Sequence, residues 1–308
     1  MIEEKIVIGK EYPLDGMLTL PDASGGPFPA VVLVHGSGAH DMDEKISEVR
    51  PFKDIAQGLA ARGIATIRYN KRSLTYGKQL VKDKTLTLTV KEETVEDGIF
   101  AADFLRKDSR IDPDKIFIAG HSMGGMLAPR IDADGGNFAG IIIMAGSPRR
   151  LEEIMEDQQK DFLVSAKGII KWIGTKQVNK IQGKLTNLYD LTDEEAKKAS
   201  FLGHTSLYYL KEWGEKPAGY YLEKTDKPIL VVQGAKDLQV SVEKDFNAYQ
   251  EILANHPNAT FKLYPTYNHA FMPALYDDIK DAMKEFKEPR NVSEDFINDL
   301  ADWIHAHV

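Results

Sequence analysis

The chain contains no cysteine, which excludes disulfides, thiol nucleophiles and thiolate metal sites together. It also lacks an excess of positive charge. Its 39 Lys and Arg stand against 47 Asp and Glu, a net charge of −8, which argues against a nucleic-acid partner and fits an acidic surface. No stretch approaches the ~18 consecutive apolar residues that a bilayer-spanning helix needs, so no membrane partner is expected. The N-terminus, Met1-Ile2-Glu3-Glu4-Lys5, has no apolar core; no signal peptide is visible and the cytoplasm is the expected compartment. No internal repeat or low-complexity segment is found. The 308 residues suit one large α/β domain with an insertion, or two domains.

One stretch organises the rest, Lys115 to Arg130, reading K-I-F-I-A-G-H-S-M-G-G-M-L-A-P-R. Ile116-Phe117-Ile118-Ala119 suits a strand buried on both faces, and Gly125-Met126-Leu127-Ala128 suits a helix. Between them stands G-x-S-x-G around Ser122, in the strand-to-helix context that gives the pattern meaning. Such a turn strains the serine backbone, so the residues two before and two after must be small. Gly120 and Gly124 meet that need. By itself the pattern is weak, because a glycine-rich turn also serves tight packing or cradles a phosphate. Pro129 should remove a backbone bond to Gly125 and kink the helix.

Along the chain, residues 1–30 read as a β start, broken by turn chemistry at residues 21–27. Ala30-Val31-Val32-Leu33-Val34 is a continuous apolar run expected of a central parallel strand. Phe52, Ile55, Ala56 and Leu59 repeat at helical spacing, and Ile64 to Tyr69 is the next strand. A polar loop is expected over residues 70–84, then a helix over 90–105. Residues 140–146 form another buried strand. This alternation implies a parallel sheet with helices on both faces. From Ser147 to about Leu222 the pattern turns helical and charged, with no convincing strand. Strands resume at residues 228–232 and 260–264, separated by a helix over 242–254, and residues 293–307 close the chain as a helix. The expected organisation is a core of residues 1–148 and 223–308 with a helical cap insertion, 149–222. A lid over a site is one role for that insertion; a helical subdomain for stability or homodimerisation is the other.

A serine nucleophile needs a base and an acid at the same sheet edge, where ligands gather in parallel sheets. Of eight histidines, His305 and His307 lie in the tail, His256 in a polar loop, His204 in the insertion and His40 after the glycine loop. His35 and His121 flank glycines and are expected to make structural hydrogen bonds. His269 alone follows the last strand. Asp237 follows the strand before it, whereas Asp226 precedes that strand and Asp245 falls in the next helix. The expected catalytic residues are Ser122, Asp237 and His269. Asp237 would orient His269, which would take the Ser122 proton. The oxyanion donors would be the backbone N–H groups of Met123 and Ser37, the latter in His35-Gly36-Ser37-Gly38. No metal and no cofactor are implied, and the glycines at 120–125 do not make a nucleotide fingerprint.

With these residues in place, the chain resembles an α/β-hydrolase of the serine esterase type. H-G-S-G at 35–38, G-H-S-M-G-G at 120–125, Q-G-A-K-D ending at Asp237 and N-H at 268–269 carry the resemblance. In detail it is similar to a bacterial subgroup of carboxylesterases and dienelactone-hydrolase-like proteins, through Asp41-Met42-Asp43-Glu44, Arg68-Tyr69-Asn70-Lys71-Arg72 and G-G-M-L-A-P-R. The resemblance implies hydrolysis of short acyl esters, a small-molecule ester as partner, and a helical cap. The loop is not H-G-G-G, so the hormone-sensitive-lipase-like branch is not supported. Serine at 122 disfavours dehalogenase, epoxide hydrolase and cysteine-dependent chemistry. Thioesterase and peptidase activity stay open within the same chemistry, as does a non-catalytic hydrolase-like receptor. Tyr208, Tyr209 and Trp213 either meet an apolar acyl or aryl group or pack the insertion.

Overall fold

The computed structural model describes residues 1–21, 26–83, 86–165, 168–202, 205–278, 281 and 283–308. His204 lies outside them, as does most of the turn read at 21–27. The chain begins with β1 (Ile2–Ile8), β2 (Leu14–Leu20) and β3 (Phe28–Val34). It continues through α1 (Pro51–Ala60), β4 (Ala65–Tyr69), α2 (Arg72–Lys82), α3 (Glu96–Arg106), β5 (Ile111–His121), α4 (Met123–Ile131) and β6 (Ile141–Met144). Between β6 and the next strand of the sheet lie α5 (Leu151–Ser165), α6 (Gly168–Leu185), α7 (Asp193–Lys198), β7 (Ser200–Leu202), β8 (Thr205–Ser206), α8 (Leu207–Gly214) and α9 (Ala218–Leu222). β9 (Ile229–Gly234), α10 (Asn247–Ile252), β10 (Ala259–Tyr264) and α11 (Glu294–His305) complete it.

Eight strands form one sheet in the order β1-β2-β4-β3-β5-β6-β9-β10. β1, β2 and β4 pair antiparallel, and every pairing from β4 to β10 is parallel. The sequence expectation of a mostly parallel sheet flanked by helices therefore holds. Alternate residues of the central strands feed two cores, as the two-residue period of a strand dictates. Ala30, Val32, Ile116, Ile118, Ile141 and Ile143 meet α3 and α4 on one face. Val31, Leu33, Phe117, Ala119, Ile142 and Met144 meet α1 and α11 on the other. Each buried Val, Ile or Leu contributes about 1.5–3 kcal/mol of transfer free energy, which makes these strands the rigid base of the site.

Two expectations need correction. Residues 72–82 are helical, not loop. Among the described side chains of α2, only Arg72 and Leu80 are buried, so the core covers little of this helix. An ion pair holds its start instead: Arg72 Nε lies 3.1 Å from Asp97 Oδ1. The segment between β6 and β9 also holds strands, because β7 and β8 pair antiparallel. At three and two residues, they are too short to show a period. Pro129 sits inside α4 without ending it; the helix runs on to Ile131 and then widens into a π turn over Asp132–Gly136. Among the described residues, no helix is long and apolar enough to cross a membrane.

Candidate active site

β5 delivers the chain to Ser122, whose φ of 54° and ψ of −117° lie where side-chain-bearing residues are rarely found. Packing enforces this turn. A Cβ on Gly120 would come within 2.1 Å of the Gly124 carbonyl oxygen, and one on Gly124 within 2.1 Å of the Val34 carbonyl oxygen. β3, β5 and α4 thus close on one another only because both positions are glycine. Ser122 N–H donates to the Met144 carbonyl at 2.8 Å, which ties the elbow to β6. Helix α4 starts at Met123, so its first N–H groups are free of intrahelical partners and its positive end faces Ser122.

Asp237 and His269 come together across the ends of β9 and β10. His269 Nδ1 lies 2.7 Å from Asp237 Oδ2, and both side chains are buried. Asp237 Oδ1 is occupied separately, accepting from the N–H of Gln239 at 2.7 Å and of Val240 at 3.1 Å. With that oxygen spoken for, the carboxylate presents Oδ2 in one orientation. The His269 turn is knotted by Asn268, whose Oδ1 accepts from Ala270 N–H at 3.0 Å and Met272 N–H at 3.1 Å. The two loops press together at Gly234, where a Cβ would sit 2.2 Å from the Tyr267 carbonyl oxygen.

The loop at 35–38 leaves β3 beside the elbow. Among the described residues, neither Ser37 N–H nor Met123 N–H donates to another protein group. Sequence reasoning missed what holds this loop. Glu44, buried and at a φ of 50°, accepts from Gly36 N–H at 2.7 Å through Oε1. Its Oε2 lies 3.0 Å from His121 Nδ1, and His121 Nε2 lies 3.0 Å from the His269 carbonyl oxygen. Burial pushes Glu44 up and His121 down, but their attraction outweighs it. Glu44 is held below the usual carboxylate range and His121 above the usual imidazole range. This ion pair joins the 35–38 loop, the elbow and the His269 turn. His35, by contrast, is pushed down to about 4, chiefly by burial, and stays neutral; its Nε2 lies 3.0 Å from the Asp41 carbonyl oxygen. Only the acidic run at 41–44 hinted at Glu44, and no periodicity marked it.

Ser122, His269 and Ser37 open on one cavity of about 200 Å³, with Ile46, Met283 and Phe286 as its apolar wall. Gln239 also borders a neighbouring cavity of about 590 Å³, which Ile154, Gln158 and Val164 of α5 line from the other side. The aromatic residues singled out in the sequence do not line the smaller cavity. Trp213 is buried in the main core, Tyr209 hydrogen-bonds Glu93 at 2.6 Å, and Tyr208 lies under the Lys197 ammonium at 5.0 Å. Packing of the helical segment accounts for all three. Among the described residues, no group of three or more His, Asp or Glu is placed to hold a metal ion.

Comparison with known proteins adds to this geometry. The BD-FAE family matches residues 17–252. Esterase EstD of Thermotoga maritima is 33% identical over 302 residues, spanning 98% of this chain and 67% of EstD. Among solved structures, Est1E from Butyrivibrio proteoclasticus superposes with a TM-score of 0.56 at 19% identity, over 96% of this chain and 99% of Est1E. Esterase Pf2001 of Pyrococcus furiosus does so with a TM-score of 0.58 at 14% identity, over 99% of this chain and 91% of that one. At these identities the two structures speak for the fold alone. Through the family match and EstD together, the chain belongs to the BD-FAE family, among the α/β-hydrolase esterases that cleave ester bonds.

Proposed function

We propose that the chain hydrolyses short-chain carboxylic esters through Ser122, His269 and Asp237. The observation that carries this reading is the buried 2.7 Å bond between His269 Nδ1 and Asp237 Oδ2, because His269 lines the same cavity as Ser122. With Nδ1 committed to Asp237, Nε2 is left to take the Ser122 proton as Oγ attacks the ester carbonyl. The carbonyl oxygen becomes an oxyanion between the Ser37 and Met123 N–H groups, each such donor being worth about 3 kcal/mol in the transition state. His269 then protonates the departing alcohol. A water, deprotonated by the same nitrogen, attacks the acyl-enzyme and regenerates Ser122.

Cavity size supports a short acyl group. At about 200 Å³, the space beside Ser122 falls below the ~300–1,000 Å³ of ordinary small-molecule pockets. The larger space beyond Gln239 takes the other half of the ester. In this reading residues 149–222 act as a cap, with residues 1–148 and 223–308 as the hydrolase core. Support comes from α5 at the wall of that space and from Gln158 Nε2, which donates to the Gln239 carbonyl at 2.8 Å. The test is hydrolysis of a p-nitrophenyl ester series, acetate to dodecanoate, by wild type and Ser122→Ala. Cleavage should be fastest for the shortest chains and absent in the variant. A rate that climbs with chain length would overturn the short-chain assignment, and undiminished activity in Ser122→Ala would overturn the nucleophile.

A further inference from the structure

Lys71, in the Arg68-Tyr69-Asn70-Lys71-Arg72 run, has a place in the fold that the mechanism above does not use. Its side chain is 2% exposed, an expensive position for an ammonium unless its partners are well placed. Nζ donates to the Gly36 carbonyl oxygen at 2.8 Å. It also lies 3.3 Å from Glu93 Oε1 and 3.8 Å from Met123 Sδ. The carbonyl of Gly36 and the N–H of Ser37 belong to one peptide unit, and in a trans peptide they point in opposite directions. An ammonium on the carbonyl side therefore turns the N–H away from Lys71. It also polarises the unit, because a charge-assisted bond to the oxygen strengthens the N–H as a donor. The next peptide is pinned as well: His40 Nε2 lies 2.7 Å from the Ser37 carbonyl oxygen, and Lys71 N–H donates to the His40 carbonyl at 3.0 Å.

The network does not stop at Glu93. Its second oxygen accepts from Tyr209 Oη at 2.6 Å. Tyr209 lies on α8, towards the end of the helical segment, and meets Trp213 edge-on with ring centroids 6.4 Å apart. A continuous line of bonds runs from that helix through Glu93 and Lys71 to the Gly36–Ser37 peptide.

We propose that Lys71 is a positioning residue that orients and polarises the Gly36–Ser37 peptide, and that Glu93 and Tyr209 couple this peptide to helix α8. The proposal rests on the reading of Ser37 N–H as an oxyanion donor. It predicts an effect confined to the transition state, because only there does the substrate oxygen carry the charge that a stronger donor favours.

Removing Lys71 alone would strand the half-buried Glu93, so the variant to make is Lys71→Met/Glu93→Gln, which replaces the ion pair with neutral groups of similar size. Its kcat should fall by roughly 10- to 100-fold, less than the ~10²–10³ for losing a whole oxyanion donor, while KM stays within about 2-fold. A short-chain alkyl trifluoromethyl ketone supplies the second readout. Ser122 Oγ adds to its carbonyl carbon, His269 takes the proton, and the ketone oxygen becomes the anion. Its affinity should fall by the same factor as kcat. Tyr209→Phe, which keeps the ion pair, should lose about 2- to 5-fold in both. A double variant with wild-type kcat would overturn the role given to Lys71, as would one whose kcat falls while ketone affinity is kept. Tyr209→Phe unchanged in both would overturn the coupling to α8. Wild type that the ketone does not inhibit would sink the oxyanion reading itself, and this proposal with it.

Discussion

The ends of the central strands and the helical segment between β6 and β9 are built on opposite terms. Around the elbow, backbone packs on backbone with no room for a single carbon. The Cβ positions of Gly120, Gly124 and Gly234 all fall 2.1–2.2 Å from carbonyl oxygens of the neighbouring helix, strand and loop. The helical segment is held by side chains instead. Arg130 on α4 pairs with Glu212 on α8, and Arg149 reaches Asp157 and Asp245. A small cluster of Leu188, Ala196, Phe201, Leu207 and Leu210 forms a core of its own. Gly183 in α6 has nothing within 4 Å of where its Cβ would be. The elbow stands on a frame with no room for a Cβ, while the helical segment has open space for one at Gly183.

Substitutions break or sharpen this contrast, in descending order of effect. Asp237→Asn should keep the fold but slow turnover by roughly 10⁴-fold, through loss of the His269 tautomer. Kinetics on a short p-nitrophenyl ester would check it, and a mild effect would mean that another carboxylate orients His269. Gly124→Ala should destabilise the chain by about 4 kcal/mol or more in urea unfolding, because β3 and α4 must separate to admit the methyl.

The third effect is one of pH. The folded state holds His35 at about 4, whereas the unfolded chain titrates it near ~6.5. Between those values only the unfolded chain takes up the proton. Stability therefore falls as pH falls, by on the order of 3 kcal/mol from this group. His121 acts with the opposite sign: its raised value adds stability that is complete below ~6.5 and lost as pH rises through that raised value. Urea midpoints at pH 7 and pH 4.5 should converge in His35→Gln relative to wild type. Equal slopes would mean that His35 is protonated in the folded state. Smallest of all, Gly183→Ala should stabilise the chain by ~0.5–1 kcal/mol through helix propensity. A loss of stability there would show that the segment is packed as tightly as the elbow.

How far the sequence could be read follows the same divide. Runs such as Val31 to Val34 and Ile141 to Met144 announce strands buried on both faces, and the glycines at 120 and 124 announce a close approach that the structure contains. Asp237 and His269 follow consecutive strands in the sequence, and the fold brings them within 2.7 Å. What stayed hidden depends on long-range pairing of charges. Helix α2 has few buried side chains among those described and is anchored by Arg72 on Asp97, 25 residues away. Glu44 meets His121, and Lys71 meets Glu93, across loops that no local period connects. Tyr209 and Trp213 read equally well as ligand contacts or as packing residues, and only the burial of Trp213 in the main core and the bond of Tyr209 to Glu93 decide for packing.

The proposed esterase stands on Ser122 as nucleophile and His269 as its base. The most direct measurement is the site of covalent labelling by a fluorophosphonate, read by peptide mass spectrometry in wild type, Ser122→Ala and His269→Ala. One phosphonylated peptide is expected, the one containing Ser122, with no label in Ser122→Ala and strongly slowed labelling in His269→Ala. A label on another residue, or labelling at wild-type rate without His269, would contradict it.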